Sequence, residues 1–476
     1  MKKKEVSMLQ LIETINNAVN NFIWGVPAMI CIFGVGLYLS LRTRFLQIRK
    51  FPYAIRTTLG RMFRKRDASD GAITPFQAVC TALAATVGTG NIAGVAGAIA
   101  IGGPGAVFWM WVSALLGMCT KFAEVTLAVF YHEKNANGEL VGGPMYYIKN
   151  GLSKKWHFLA YLFAAFGVLT VFGTGNATQV NTITTAVNSA LMNYHVISKD
   201  AIPTSNLIQG IIIAVLVALI LLGGVKRIAQ VTEKLVPFMA LFYIVLAIGV
   251  ILLNLNRIPS VFVSILEGAF RPSAVTGGIV GSMLMSVKKG VSRGIFSNEA
   301  GLGTGSIAHA CADTKKPVKQ GMFGIFEVFT DTIVICTMTG LSIVIAGSWL
   351  DPKLEGVAIT MDAFQKGLPF PGFIATFSLM LCLVFFAFTT ILGWDYYGER
   401  CVEYLFNRNK AVVRGYRWLY ILAVFIGPYM TVAAVWNIAD IFNALMAFPN
   451  LIALLALSGV VVKETKEFHA KHKGSY

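Results

Sequence analysis

The stretch "TALAATVGTGNIAGVAGAIA" runs from Thr81 to Ala100. It is long and apolar enough to cross a bilayer. Its centre reads Gly88-Thr89-Gly90-Asn91, four poor helix formers in a row. An unpaired backbone amide costs most at mid-membrane, so a break there needs a reason. Gly88 and Gly90 permit backbone angles a helix does not use, and Asn91 can cap the helix that resumes. The span reads as two half-helices. The start of the second offers free N–H groups and a positive dipole end, which suit a carboxylate. The end of the first offers free carbonyls, which suit a small cation. Such breaks around a midplane site mark secondary transporters. Tight helix packing through Gly94, Gly97 and Ala98 is the alternative. It accounts for "GVAGAIA" but not for Thr and Asn set between glycines.

A second break is expected in "AVTGGIVGSMLMSV" (274–287), at Gly277, Gly278, Gly281 and Ser282. Counted along the chain, these are the second and seventh apolar runs. An inverted repeat of five helices, preceded by one extra helix, gives that offset.

Composition agrees with a membrane chain. Of 476 residues, 56% are hydrophobic and only 13% charged, against about 25% charged in soluble domains. Eleven candidate spans follow: 22–41, 76–101, 104–130, 157–190, 206–223, 235–256, 272–290, 320–347, 372–394, 416–437 and 438–462. With the N-terminus outside and the C-terminus in the cytoplasm, 31 of the 40 Lys and Arg fall on the inner side and 8 outside. The net charge of +17 thus reflects the positive-inside rule and not nucleic-acid binding. The basic run 42–66 is expected to lie along the inner leaflet. No cleavable signal peptide is evident, because the first 21 residues are polar and the first apolar run is long enough to span. The seven cysteines show no CxxC or zinc spacing, and Cys31, Cys80, Cys119, Cys336 and Cys382 read as small buried hydrophobes. No loop is long enough to fold as a catalytic domain.

Polar residues inside spans are costly and usually functional. Thr389 and Thr390 offer adjacent hydroxyls to a hard cation, or bond their own helix carbonyls. Asp331 lies four residues after Glu327 and is a candidate for gating or ion coupling, or a structural acceptor. Glu327 itself is expected near the cytoplasmic end. Gln179 and Asn181 face either a cavity or a neighbouring helix. Lys121 and Glu124 are expected to pair along one helix. The segment 290–314 is Gly-rich and weakly charged for a cytoplasmic loop, and reads as a packed re-entrant or gating piece. Its "GLGTGS" lacks the lysine of a phosphate-binding loop.

Six stretches together resemble the alanine/glycine:cation symporter family: "VGTGNIAGVAGAI", "KFAEVTLAVFYHE", "GGPMYYI", "RGIFSNEAGLGTGSIAHA", "DTIVICTMTGL" and "TILGWDYYGER". The likeness covers nearly the whole chain. It implies an all-α integral membrane protein of about eleven helices. The fold implied is a LeuT-like five-plus-five inverted repeat with two broken helices and one extra helix at the N-terminus. The divisions are then 1–72, 73–256, 257–462 and 463–476. The implied activity is symport of alanine and glycine with Na+ across the cell membrane, without an organic cofactor. H+ coupling, or an amino-acid sensor of the same fold, stays open. By the same resemblance, Thr89, Gly90 and Asn91 meet the substrate carboxylate, and Gly277 to Ser282 face its ammonium. Gln179 and Thr390 line the pocket, and Trp394 limits side-chain size. Carbonyls of Ala84 and Val87 with Thr389 and Thr390 hold Na+. Lys288 and Lys289 are expected at the inner end of the seventh span. A channel would need rings of one polar type, which are not seen. A membrane enzyme would need a nucleophile or metal set in the spans, and none of the six histidines is expected at the core of one.

Overall fold

The computed structural model describes residues 26–62, 68–69, 71–270, 283–430 and 432–471. Gly277, Gly278, Gly281 and Ser282 lie outside the described residues. Among those described, seven helices are long and apolar enough to cross a membrane, and one bent pair adds an eighth crossing. In chain order the main helices are α1 (Val26–Arg42), α2 (Phe51–Met62), α3 (Pro75–Thr86), α4 (Ala93–Gly102) and α5 (Gly105–Phe130). There follow α6 (Lys154–Asn193), α7 (Lys199–Leu221) and α8 (Gly224–Leu253). Next come α9 (Ile258–Phe270), α10 (Met283–Asn298), α11 (Thr304–His309), α12 (Pro317–Ala346) and α13 (Val357–Gly367). The last four are α14 (Gly372–Leu405), α15 (Lys410–Ile426), α16 (Val432–Ala456) and α17 (Ser458–Lys471). The only strands among the described residues form a two-stranded hairpin, Glu133–Lys134 with Leu140–Val141.

Burial sorts these helices. The apolar window of α5 is 78% buried within the protein, while those of α7 and α8 are only 22% and 28% buried. So α5 is central, and α7 and α8 present Leu, Ile and Val to lipid. Cys31 is exposed on α1, so it is no core residue as the sequence suggested; the other six cysteines are buried and all seven are free thiols.

Helix α3 starts where Thr74 and Gln77 form a reciprocal capping box with Pro75 at the first helical position. It stops at Val87, where Gly88 turns to extended backbone, and α4 resumes at a 57° bend. That is the break expected from the glycine run. Around it, α10 packs on α4, α11 on α3 and α12 on α5. Two half-helices with a following long helix are thus apposed to a second such set.

In the second set, the segment 290–314, read from the sequence as a packed re-entrant or gating piece, is largely packed inside the bundle. Residues 294–312 are all buried. Helix α10 ends at Asn298, and the chain turns through Glu299 (φ 57°), Gly301 (φ 94°) and Gly303 (φ 82°) before α11. A left-handed Glu is uncommon and costs about 1–3 kcal/mol. Beyond α11, Ala312 forms a bridge with Ile73, so α11 ends where α3 begins. Lys289 lies at the opposite end of the bundle, where a Cβ on Gly102 would come within 3.3 Å of it. Lys288 and Lys289 therefore lie toward the start of α10, at the end of the bundle opposite to Asn298. The crossing runs on to Asn298 because its polar break residues, which hydropathy reads as loop, satisfy one another inside the bundle.

Candidate functional site

At the first break, the end of α3 presents carbonyls to α14. The Thr390 hydroxyl lies 2.9 Å from the carbonyl oxygen of Ala84 and 3.4 Å from that of Val87. A Cβ on Gly88 would fall 2.5 Å from the Thr390 hydroxyl and 3.2 Å from Gln179 Oε1. Only glycine permits this approach. The Thr89 N–H donates to Gln179 Oε1 at 3.2 Å, and the Gln179 amide donates to Thr174 O at 2.9 Å. Thr174 belongs to a π-helical stretch, Val171–Ala177, whose wide turn exposes that carbonyl. The Trp394 indole N–H donates to Ala85 O at 3.3 Å, and Gly175 packs directly on the Trp394 Cβ. Ala84, Val87, Thr89, Gln179, Thr390 and Trp394 are thus brought together.

Three predicted residues sit differently. The Asn91 side chain accepts from the Gly88 N–H at 2.9 Å and donates to Asp331 Oδ1 at 2.6 Å. It braces the break instead of facing a ligand. Thr389 turns to its own helix, bonding Phe385 and Phe386 carbonyls at 3.0 Å, with Met239 beside it. It is not brought to Ala84 or Val87. Gly90 faces α10, where an added Cβ would meet Phe296 at 3.1 Å and Ser297 at 3.3 Å.

Asp331 lies in a second π-helical stretch, Phe329–Cys336, and is fully buried. Besides Asn91 it accepts from Ser297 Oγ at 2.8 Å and Thr332 Oγ1 at 2.7 Å. One carboxylate so joins the first break to the residue before the end of α10. Phe296 and Ser297 were missed in the sequence, although "FSNEAGLGTG" was visible as an unusual string. Above Phe296, Arg293 makes a bidentate pair with Asp440 at 2.8 Å and lies 4.6 Å over the Trp436 ring.

The second break is surrounded by buried charge. Lys121 Nζ donates to Asn298 O at 3.1 Å and pairs with Glu327 Oε1 at 2.9 Å. Lys121 does not pair with Glu124 as expected. Glu124 Oε1 instead accepts from the N–H groups of Gly301 (2.9 Å) and Gly303 (3.1 Å) and from Asn450 (2.7 Å). Glu327 is not at a wet helix end, because His309 Nε2 meets it at 3.0 Å with both side chains fully buried. His309 is thus an interior histidine, contrary to the sequence reading. Its other ring nitrogen meets Gln320 at 3.0 Å. The neighbours are tertiary, on α5, α11 and α12, and no local signal announced them.

Carbonyl and hydroxyl oxygens suit a hard monovalent cation. Among the described residues no group of three His, Cys, Asp or Glu could hold a metal ion; at the break, Ala84 O, Val87 O and Thr390 Oγ1 lie close together. Beside them, Thr89 Oγ1 is buried without a hydrogen-bond partner, a donor and acceptor left for something else.

Comparison with known proteins gives the family and the fold. A family model described as the sodium:alanine symporter family matches residues 9–475. An uncharacterized transporter of Haemophilus influenzae is 48% identical over 97% of both chains. The sodium/alanine symporter AgcS of Methanococcus maripaludis is 44% identical, covering 96% of this chain and 97% of its own. The probable sodium/glutamine symporter GlnT of Bacillus subtilis is 38% identical, covering 98% and 92%. Among solved structures, MhsT in complex with L-phenylalanine superposes with a TM-score of 0.56 at 13% identity, covering 85% of this chain and 99% of that one. That likeness is one of fold.

Proposed function

We propose, for a chain that belongs to the sodium:alanine symporter family, the import of alanine and glycine driven by Na+. The family is one of multi-pass membrane transporters, not enzymes. The observation that carries the reading is the first break itself. Thr89 Oγ1 is buried and unpartnered, beside the end of α3 whose Ala84 carbonyl faces Thr390. A substrate carboxylate takes the Thr89 hydroxyl and the amide end of α4. Na+ takes the oxygens of Ala84, Val87 and Thr390. Gln179 orients the break, Gly90 lets Phe296 close over it, and Trp394 walls off larger side chains. Asn91 and Asp331 hold the break in shape. Gly277, Gly278, Gly281 and Ser282, which the resemblance sets against the substrate ammonium, lie outside the described residues.

The apposition of α3–α4 with α10–α11 supports division into repeats at 73–256 and 257–462, flanked by 1–72 and 463–476. We infer that the N-terminus is outside. Moving Lys288, Lys289 and Arg293 across leaves 28 basic residues inside and 11 outside, the same sense. The relative named for alanine favours alanine as substrate, and the one named for glutamine makes glutamine the competitor to include.

The test is uptake of labelled alanine into proteoliposomes. Accumulation is expected with an inward Na+ gradient and not with K+. Equal accumulation on an H+ gradient without Na+ overturns Na+ coupling. Binding without accumulation makes the protein a sensor, and displacement by glutamine but not glycine changes the substrate.

A further inference from the structure

A cavity of about 560 Å³ opens at the end of the bundle that holds the start of α12, between the corner after α1 and helix α17. Its lining includes Arg42, Arg44, Arg49, Lys50, Lys466 and His469, and no acidic residue among the described residues. The corner is held open by its own bonds. Arg49 donates to the carbonyls of Arg44 (2.5 Å) and Thr43 (3.1 Å), which points the chain back on itself. Across the cavity, α17 is anchored by Ser458 against Tyr38 at 3.5 Å and by Phe468 against the Tyr53 ring at 6.2 Å.

We propose that this cavity binds the phosphate of an anionic phospholipid. Arg42, Arg44, Arg49 and Lys466 gather positive charge on one concave wall, which attracts an anion. Guanidinium and ammonium groups bind phosphate oxygens through charge-assisted hydrogen bonds. A free phosphate satisfies the same groups, and two observations favour the lipid. The cavity sits where α1 leaves the membrane at Arg42. Leu37, Leu41 and Ile48 are exposed beside it, an apolar surface that acyl chains cover while the headgroup enters. Basic pockets between transmembrane helices are recognised sites for anionic headgroups. The lipid would fix α17 to the corner after α1, joining the two ends of the described chain outside the transport site.

The test uses purified full-length protein stripped of lipid. Thermal stability and native mass spectra are measured with added phosphatidylglycerol, with phosphatidylcholine, and with inorganic phosphate at equal phosphorus. Phosphatidylglycerol alone is expected to stabilise and to be retained. The double substitution Arg44→Gln with Lys466→Gln is expected to weaken that retention about tenfold or more, with Arg49 left in place to hold the corner. High salt is expected to mimic the substitution on the unaltered protein, which serves if the double variant does not fold. Equal retention of phosphatidylcholine, or salt-insensitive retention, overturns the proposal. Stabilisation by inorganic phosphate to the same extent assigns the cavity to a free anion and overturns the lipid.

Discussion

At the first break the carbonyl end of α3 meets a neutral hydroxyl, Thr390. At the second, the carbonyl end of α10 meets the Lys121 ammonium. The amide ends differ in the same way. The first leaves Thr89 Oγ1 without a partner, whereas at the second Glu124 takes two backbone N–H groups. Interrupting a helix leaves a negative and a positive dipole end. The second break answers both with its own side chains, a cation and an anion, although Glu124 Oε2 is itself buried without a hydrogen-bond partner. The first answers neither with a full charge. An amino acid carboxylate and a small cation would supply at the first break what Glu124 and Lys121 supply at the second. On this view one break is a fixed hinge piece and the other a receptor, with Asp331 fastening them together through Asn91 and Ser297.

The largest effect is expected where the second break is stripped of its charge. Lys121→Met leaves Glu327 buried without its ion pair, and breaking such a pair costs about 3–5 kcal/mol. Thermal size-exclusion should show a severe loss of folded protein. The double substitution Lys121→Met with Glu327→Met should recover part of it, because both charges are gone. A Lys121→Met protein as stable as the original would dissolve the contrast between the breaks.

Next is the fastening. Asp331→Asn keeps the shape and removes the charge that accepts from Asn91 and Ser297. A hydrogen bond to a charged group is worth about 1.5–3 kcal/mol, so alanine affinity should fall roughly ten- to a hundredfold in folded protein. Asn91→Ala should fall similarly. The double variant should lose little more, since both act through one contact. Full additivity would show that Asp331 and Asn91 act separately.

A smaller change is expected at the receptor's cation end. Thr390→Val removes one oxygen from the set with Ala84 and Val87. The half-saturating Na+ concentration should rise about tenfold, as the loss of one bond of roughly 1–2 kcal/mol implies. Thr389→Val should leave it unchanged, because the Thr389 hydroxyl turns to its own helix and Met239. The reverse pattern would move the cation site.

What the sequence announced follows the same division. The first break was legible because its signal is local: two glycines and an asparagine in an apolar run have few other uses. Thr390 was noticed as a polar residue inside a span, but its place opposite the break, like Trp394, was reached only through the resemblance, since their partners Ala84 and Ala85 lie on another helix. The break expected at Gly277–Ser282 lies outside the described residues, and the sequence did not single out the break that the described residues show next. Its described position, Glu299 to Gly303, reads as a wet loop by hydropathy. The groups that make it bearable in a membrane, Lys121, Glu124 and Asn450, are far away in sequence. The crossing that holds Lys288 and Lys289 was ended too soon for the same reason, since its helix runs on to Asn298. Helix existence rested on apolar length alone and needed no partner.

The smallest expected effect tests whether Trp394 acts through its ring or its N–H. Trp394→Phe keeps an aromatic wall against Gly175 but removes the donor to Ala85 O, a long bond at 3.3 Å. A neutral hydrogen bond contributes about 0.5–1.5 kcal/mol, so alanine affinity should drop by a factor of about two to ten. Valine should still compete poorly, because packed surroundings yield little to an extra pair of methyls. Trp394→Ala, by contrast, should admit valine and leucine as competitors of labelled alanine. If the Phe variant admits valine as readily as the Ala variant does, the size limit comes from the position of the Ala85 carbonyl. The indole's bulk would then be incidental, and the end of α3 would set both the cation site and the substrate's size.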